Sequence, residues 1–214
     1  MTILALEFSS PQRSVAVAGA GRRVETVETG GGATNAFGMI ERILDDAKIE
    51  REEIEVVAVG LGPGSYTGIR AAISLAQGWQ LARGVKLLGL GSVETIVWEA
   101  RARQISGACN VVIDAQRDEL YRAKYEIGRD EWREIEPLKI VPRAEVQSRA
   151  EAGERVIGPE VDRWFAGGRV IFPRAEALAE LALGRTDFVA GEKLAPIYLR
   201  ETRFVKSPPR KVRA

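Results

Sequence analysis

The sequence predicts an α/β protein of two lobes, built from one order of elements, β-β-β-α-β-α, used twice, with the second lobe reduced. Two observations predict it. Apolar runs of strand length alternate with helical stretches that carry an apolar stripe. Three strands in a row occur twice, once from the start of the chain and again from about residue 110. Repetition of the order suggests lobes related by a pseudo-twofold axis. The expected division is residues 1–105 for a first lobe, 106–199 for a second, and 200–214 for a basic tail.

In chain order, TILALEF (2–8), RSVAVAG (13–19) and residues 22–28 read as a meander of three strands with Gly and Pro between them. Residues 36–48 repeat apolar side chains at Ala36, Ile40, Ile43, Leu44 and Ala47 and place Glu41, Arg42, Asp45 and Asp46 opposite, so they form an amphipathic helix capped by Thr34 or Asn35. EVVAVG (55–60) is a buried strand, and a helix runs from about 67 to a stop at Gly84. A short strand at 87–90 and a helix over 92–104 close the first unit. The second opens with strands at 110–115, 119–127 and 132–141, followed by a helix at 143–151, a strand at 155–158 and a helix at 174–183.

Composition removes several kinds of chemistry. With no histidine among 214 residues, zincin-type metal sites and Ser-His-Asp triads are excluded. One cysteine, Cys109, forbids an internal disulfide, fits a reducing compartment, and sits in GACNVVIDA as a buried strand residue. No apolar run approaches the roughly 18 residues of a membrane span, so the expected location is the cytoplasm. The net charge of +1 conceals a tail with six basic side chains (Arg200, Arg203, Lys206, Arg210, Lys211 and Arg213) against Glu201. Such a tail on an acidic body suits a nucleic-acid partner, or forms a solvated end.

The stretch GLGPGSYTGIRAAISLAQG (60–78) invites a phosphate-binding reading. No Lys-Ser/Thr pair follows its glycines, as a P-loop requires, and from Gly62 the spacing breaks the dinucleotide pattern. What remains is a sharp turn through Gly62, Pro63 and Gly64, with Ser65 and Thr67 available to cap the next helix. That loop aims a helix. Ile69, Ala72, Ile73, Leu75, Ala76, Trp79, Leu81 and Ala82 wrap most of its circumference, leaving Arg70, Ser74 and Gln77 as a narrow polar stripe. Such a helix must be covered on two sides, either wholly within the monomer or by another subunit. The small residues Gly68, Ala72, Ala76 and Gly78 would permit close approach.

GPGSYTGIR, joined to ILALEFSS at the start, VVIDAQRDELYRAKY in mid-chain and APIYLR late, resembles the TsaB (YeaZ) family, partner subunits of the bacterial tRNA threonylcarbamoyladenosine machinery. The resemblance implies an actin-like, sugar-kinase and Hsp70-type (ASKHA) fold. It implies a non-catalytic scaffold needing no cofactor or metal. Its expected partners are the catalytic TsaD homologue, TsaE in the assembled complex, and tRNA through that complex, with a homodimer when the protein is alone and no membrane. The expected partner face combines Phe37, Ile40, Ile43 and Leu44 with Gly68, Ile69, Ala72, Ile73, Ala76 and Trp79, and the candidate tRNA contacts are Arg203, Lys206, Arg210, Lys211 and Arg213.

Three departures bear on chemistry. Glu7 stands where the family carries Asp, and its extra methylene would displace any phosphate or metal contact. Asp114-Ala115-Gln116-Arg117 lacks the glycines of a nucleotide-binding turn. Gly167-Gly168 reads as a turn before a strand. These argue against the alternative, a small-molecule kinase or ATPase on the same fold. A magnesium site at Asp114, Asp118 and Glu119 is less economical than a charged turn.

Overall fold

The computed structural model describes residues 1–19, 21–30 and 35–200. Its elements run β1 (Ile3–Glu7), β2 (Gln12–Gly19), β3 (Arg22–Thr29), α1 (Ala36–Ala47), β4 (Val56–Gly60), α2 (Tyr66–Arg83), β5 (Lys86–Leu90) and α3 (Ser92–Ala102). The second unit follows as β6 (Gly107–Asp114), β7 (Glu119–Ile127), β8 (Trp132–Pro142), α4 (Arg143–Glu151), β9 (Arg155–Gly158), β10 (Arg169–Val170) and α5 (Ala175–Ala182). Two five-stranded mixed sheets result, ordered β3-β2-β1-β4-β5 and β8-β7-β6-β9-β10. Element for element the two orders are the same, which is the duplication that the sequence predicts. The reduction lies in the crossover between β9 and β10. Where the first unit has the 18-residue α2, the second has only a 3-10 turn, Val161–Arg163.

Alternation along the strands assigns each face of the first sheet. Leu4, Leu6, Val15, Val17, Val57 and Val59 pack beneath Met39, Ile43 and Leu44 of α1 and Ile69, Ala72, Ile73 and Ala76 of α2. The opposite face presents Ile3, Ala5, Ala16, Ala18 and Ala58 to Ala175, Leu178, Ala179 and Ala182 of α5. Small side chains on both partners let that helix lie close to the sheet. Similarly, Cys109, Val111, Ala123 and Tyr125 of the second sheet pack against Val93, Ile96, Val97 and Ala100 of α3. Each unit therefore ends in a helix that covers the other unit's sheet. The division expected near residue 105 separates the repeats in sequence, while the packing crosses it.

The other face of the second sheet is less apolar. Under α4, whose one buried residue is Val146, the fully buried Arg122 of β7 bonds Glu136 at 2.5 Å and Asn110 at 3.3 Å and lies 3.6 Å from Glu145. Arg149 of α4 adds contacts to Glu136 at 3.2 Å and Glu154 at 3.5 Å. An ionic layer thus joins α4 to the sheet beside a smaller apolar cluster of Val112, Leu120, Val141, Val146, Val156 and Phe165.

Helix ends follow the sequence signals. Asn35 caps α1 through the Gly38 amide, Ser65 caps α2 through the Gly68 amide, and Gly84 ends α2 with φ +70. Thr34, the other candidate cap, lies outside the described residues, and Thr67 is exposed in the first turn of α2 without capping it. Two glycines of α2 make opposite demands. A Cβ on Gly68 would stand 2.0 Å from the Phe8 carbonyl oxygen, whereas one on Gly78 would meet nothing within 4 Å. Gly68→Ala should lower unfolding stability by about 2–3 kcal/mol through overpacking. Gly78→Ala should raise it by about 0.5–1 kcal/mol, the ordinary gain in a helix interior. Urea unfolding of the two variants checks the pair, and shifts of the same sign would contradict the packing described.

Candidate functional site

The GPG loop is held at both ends by side chains of β1 and α3. The Gly62 amide donates to Ser92 Oγ at 3.1 Å, and the Ser92 amide donates to the Gly62 carbonyl at 2.8 Å. Ser92 Oγ in turn donates to Glu7 Oε2 at 2.8 Å, and Glu7 Oε1 accepts from the Ser9 amide at 2.8 Å. Gly64, at φ +147, runs so close to β1 that a Cβ would lie 2.1 Å from the Ser9 carbonyl oxygen, which accepts from the Ser65 amide at 2.6 Å. The Gly62–Pro63 peptide is cis. Gly62, Pro63, Gly64 and Ser65 therefore join the start of α2 to Ser9, just beyond β1, and to Ser92 of α3.

Glu7 itself is fully buried, and its carboxyl lies against Gly60, where a Cβ would be 2.1 Å from Oε2. Glycine at that position makes room for the longer acid. Burial pushes the Glu7 carboxyl above its ordinary value of 4.5, opposed by the hydrogen bonds from Ser9 and Ser92.

Two concave surfaces flank α2. The first is a groove of about 590 Å³ between α1 and α2, lined by Phe37, Ile40, Leu75, Gly78, Trp79 and Ala82. Phe37 of α1 is 69% exposed, and Leu81 of α2, three positions beyond Gly78, is 90% exposed. Ion pairs Glu41–Arg51 at 3.0 Å and Glu52–Arg83 at 3.3 Å stand at its rim. The buried indole Nε1–H of Trp79 has no acceptor among the described residues.

The second is a cleft of about 570 Å³ between the lobes, lined by Ser9, Ser10, Arg13, Ser65 and Tyr66 on one side and Asp114, Gln116, Tyr121 and Glu160 on the other. A strap from α5 closes one end. It bridges Leu87 through Val189, sets Gly191 between Gln77 and Gln80 of α2, and donates from Ile197 to the Leu61 carbonyl at 2.8 Å. Tyr198 then packs on Tyr66 with ring centroids 5.3 Å apart. Arg200 reaches the second lobe, donating to the Ala115 carbonyl at 2.9 Å and pairing with Glu119 at 2.7 Å.

Most of the partner face expected from sequence lies elsewhere than at a surface. Ile40, Ile43, Leu44, Gly68, Ile69, Ala72, Ile73 and Ala76 are all buried, facing the sheet of their own lobe. Apolar side chains on nearly every side of α2 hide which side is inward, and the small residues serve contact with β1 and β4 rather than with a second protein. Phe37 is exposed and Trp79 half-buried, and with the buried Ile40 these line the groove, joined by Leu75 and Gly78. The signal that could have found Gly78 is a glycine inside a helix with no bend to explain it. Arg203, Lys206, Arg210, Lys211 and Arg213 lie outside the described residues.

The acidic turn does not assemble a metal site among the described residues. Asp114 accepts from the amide and side chain of Gln116, Asp118 pairs with Arg143 at 2.7 Å, and Glu119 pairs with Arg200. Gln116, Arg117 and Asp118 all take left-handed φ values near +60, so this turn is made without glycine. Cys109 is buried in β6, where burial raises its thiol above the usual range. Gly167, at φ +80, forms the expected turn before β10.

A family model described as TsaD, tRNA N6-adenosine threonylcarbamoyltransferase, matches residues 33–200. The tRNA threonylcarbamoyladenosine biosynthesis protein TsaB of Escherichia coli (strain K12) is 30% identical, covering 81% of this chain and 82% of its own. The chain belongs to the TsaB (YeaZ) family. Haemophilus influenzae TsaB is 25% identical over 98% of both chains. The solved structure of YeaZ from Pseudomonas aeruginosa matches with a TM-score of 0.78 and 28% identity, over 92% of this chain and 99% of that one. The two-lobed α/β fold is accordingly that of YeaZ, with one order of elements used twice. No helix among the described residues is long and apolar enough to cross a membrane.

Within this TsaB framework Glu7 is an interior carboxyl, turned toward Ser92 and Gly60 rather than lining the cleft. Its folded-state pKa lies above the unfolded value, so the folded protein holds this proton more tightly. The stability it contributes is full below pH 4.5 and is lost as the pH rises through the folded value. Glu7→Gln should remove that loss, so its stability relative to wild type should increase from pH 4.5 to pH 7.5 in urea unfolding. A difference independent of pH would show that Glu7 titrates alike in both states.

Proposed function

We propose that this chain is a non-catalytic scaffold subunit in tRNA threonylcarbamoyladenosine biosynthesis, which binds the TsaD homologue through the α1–α2 groove and, with it, TsaE. The observation that carries the reading is an apolar groove lined by the exposed Phe37 with Leu75 and Trp79, with Leu81 exposed on the same helix as Trp79, on a member of the TsaB family. Solvent-facing side chains of this size on adjacent helices are a liability unless a protein covers them. Shape favours a helix as the covering element, since Gly78 opens the floor and leaves space for close approach. When the protein is alone, a second copy takes the same face. The carboxylate at the end of β1 supports the non-catalytic part, because its two oxygens hold the scaffold together.

Binding of the purified TsaD homologue, measured by sedimentation, tests the reading. Phe37→Ala and Leu81→Glu should each weaken the complex by about 2 kcal/mol, roughly thirtyfold, while leaving the thermal melt unchanged. Ala72→Arg should instead collapse the fold, since the charge would enter the packed layer between α2 and the sheet. Well-folded groove variants that bind the TsaD homologue as wild type does would overturn the assignment. A variant that loses self-association and keeps that partner would overturn the shared face.

A further inference from the structure

The inter-lobe cleft lies at the end of α2 opposite the groove. On that helix the cleft lining ends at Tyr66 and the groove lining begins at Ser74, eight positions or about 12 Å further along, and the two sites share no lining residue. Tyr66 and Tyr198 form the rim of the cleft mouth, 50% and 53% exposed, with the Arg70 guanidinium 5.2 Å from the Tyr66 ring. Arg70 and Tyr198 thus both pack on Tyr66, and the outer face of Tyr198 is left to solvent.

Two groups inside the cleft are uncommitted. Ser9 also lines it, but its hydroxyl lies beside the Glu7 carboxyl. Arg13, on the same side, pairs with no described carboxylate and meets only the Phe8 ring at 5.9 Å. The Tyr121 hydroxyl, on the facing lobe, has no partner among the described residues either. The unpaired cation thus lies on the first-lobe side, while the carboxylates of Asp114 and Glu160 lie across from it on the second. A ligand that matches this polarity carries an anion at one end and hydrogen-bond donors at the other, with a flat apolar ring between them.

We propose that the cleft mouth holds one unstacked nucleotide of an RNA strand. Its base packs on Tyr198 and turns its amino edge toward Asp114, and its phosphate meets Arg13. Aromatic faces and guanidinium groups are what proteins use to hold splayed bases and their backbone. Continuity with the chain's end favours a strand over a free nucleotide. Residue 200 is anchored at this mouth, on Ala115 and Glu119, and the 14 residues that follow it carry five basic side chains and one acidic one. A run of cations that follows the anchor in sequence suits the several phosphates of a strand better than those of a free nucleotide. The inference deepens the tRNA assignment by naming where RNA touches this subunit, and it uses that assignment only to choose RNA as the ligand.

Fluorescence anisotropy of the full chain with a 5′-fluorescein-labelled single-stranded hexaadenylate RNA, without the TsaD homologue, keeps this test separate from partner binding. Tyr198→Ala should weaken binding about tenfold, and Tyr198→Phe should leave it unchanged. Arg13→Ala should reduce the slope of log affinity against log salt by about 0.7. Tyr198 is half exposed, and a circular-dichroism melt confirms that its variants fold. The proposal is overturned if the wild-type chain fails to bind the RNA. It is also overturned if Tyr198→Ala binds as wild type while deletion of residues 201–214 abolishes binding, which would assign the contact to the tail alone. Tighter binding of ATP than of the RNA would put a free nucleotide in the cleft and overturn it as well. Failure here with intact binding of the TsaD homologue removes only the RNA site.

Discussion

The hydrogen bond from Ser92 to Glu7 is the point on which the rest of the molecule turns. Through it the end of β1, the GPG loop and the first residue of α3 are joined in one buried node. The loop fixes the start of α2, and α2 presents the groove at one end and the cleft at the other. The first turn of α3 begins the helix that crosses to the second sheet. A buried carboxyl is costly, and here two donors and the space left by Gly60 offset the cost. An aspartate at position 7, one methylene shorter, would not span this node in the same way.

Much of the fold was legible because local rules and packing agree. Strands 119–127 and 155–158 and the helix at 143–151 coincide with their sequence limits, since alternation, turn residues and helix ends all point the same way there. Boundaries elsewhere differ by a few residues at most, as at β6, which begins at Gly107 rather than 110. The identical strand order of the two sheets was implied by the repetition of elements. Pairing partners were not, because no periodicity states which strands are neighbours.

What the sequence concealed is orientation. Apolar residues on nearly all sides of α2 give it a weak stripe, so Ala72 and Ala76 could be assigned to a partner when they in fact touch the sheet. The polar positions misled in the same way. Gln77, read from sequence as part of a narrow polar stripe, bonds the Gly191 carbonyl and, with Gln80, holds the strap. Arg122 is the clearest case, since a basic residue in an alternating strand reads as exposed and is instead fully buried among carboxylates. In each case a long-range partner decides the side chain's place, and such partners leave no local trace.

The exchange of α3 and α5 between sheets has a consequence for synthesis. When the ribosome has released β5, five strands, α1 and α2 can assemble, but the face carrying Ile3, Ala5 and Ala58 stays bare until α5 emerges more than 80 residues later. At ordinary elongation rates that interval is roughly 5–20 s. In its first part α3 also lacks β6 and β7, the strands that it will cover, and once they have emerged only the face awaiting α5 is left unmatched. Completion is therefore a single late event, and a chain cut anywhere between the units leaves both parts sticky rather than yielding one sound lobe.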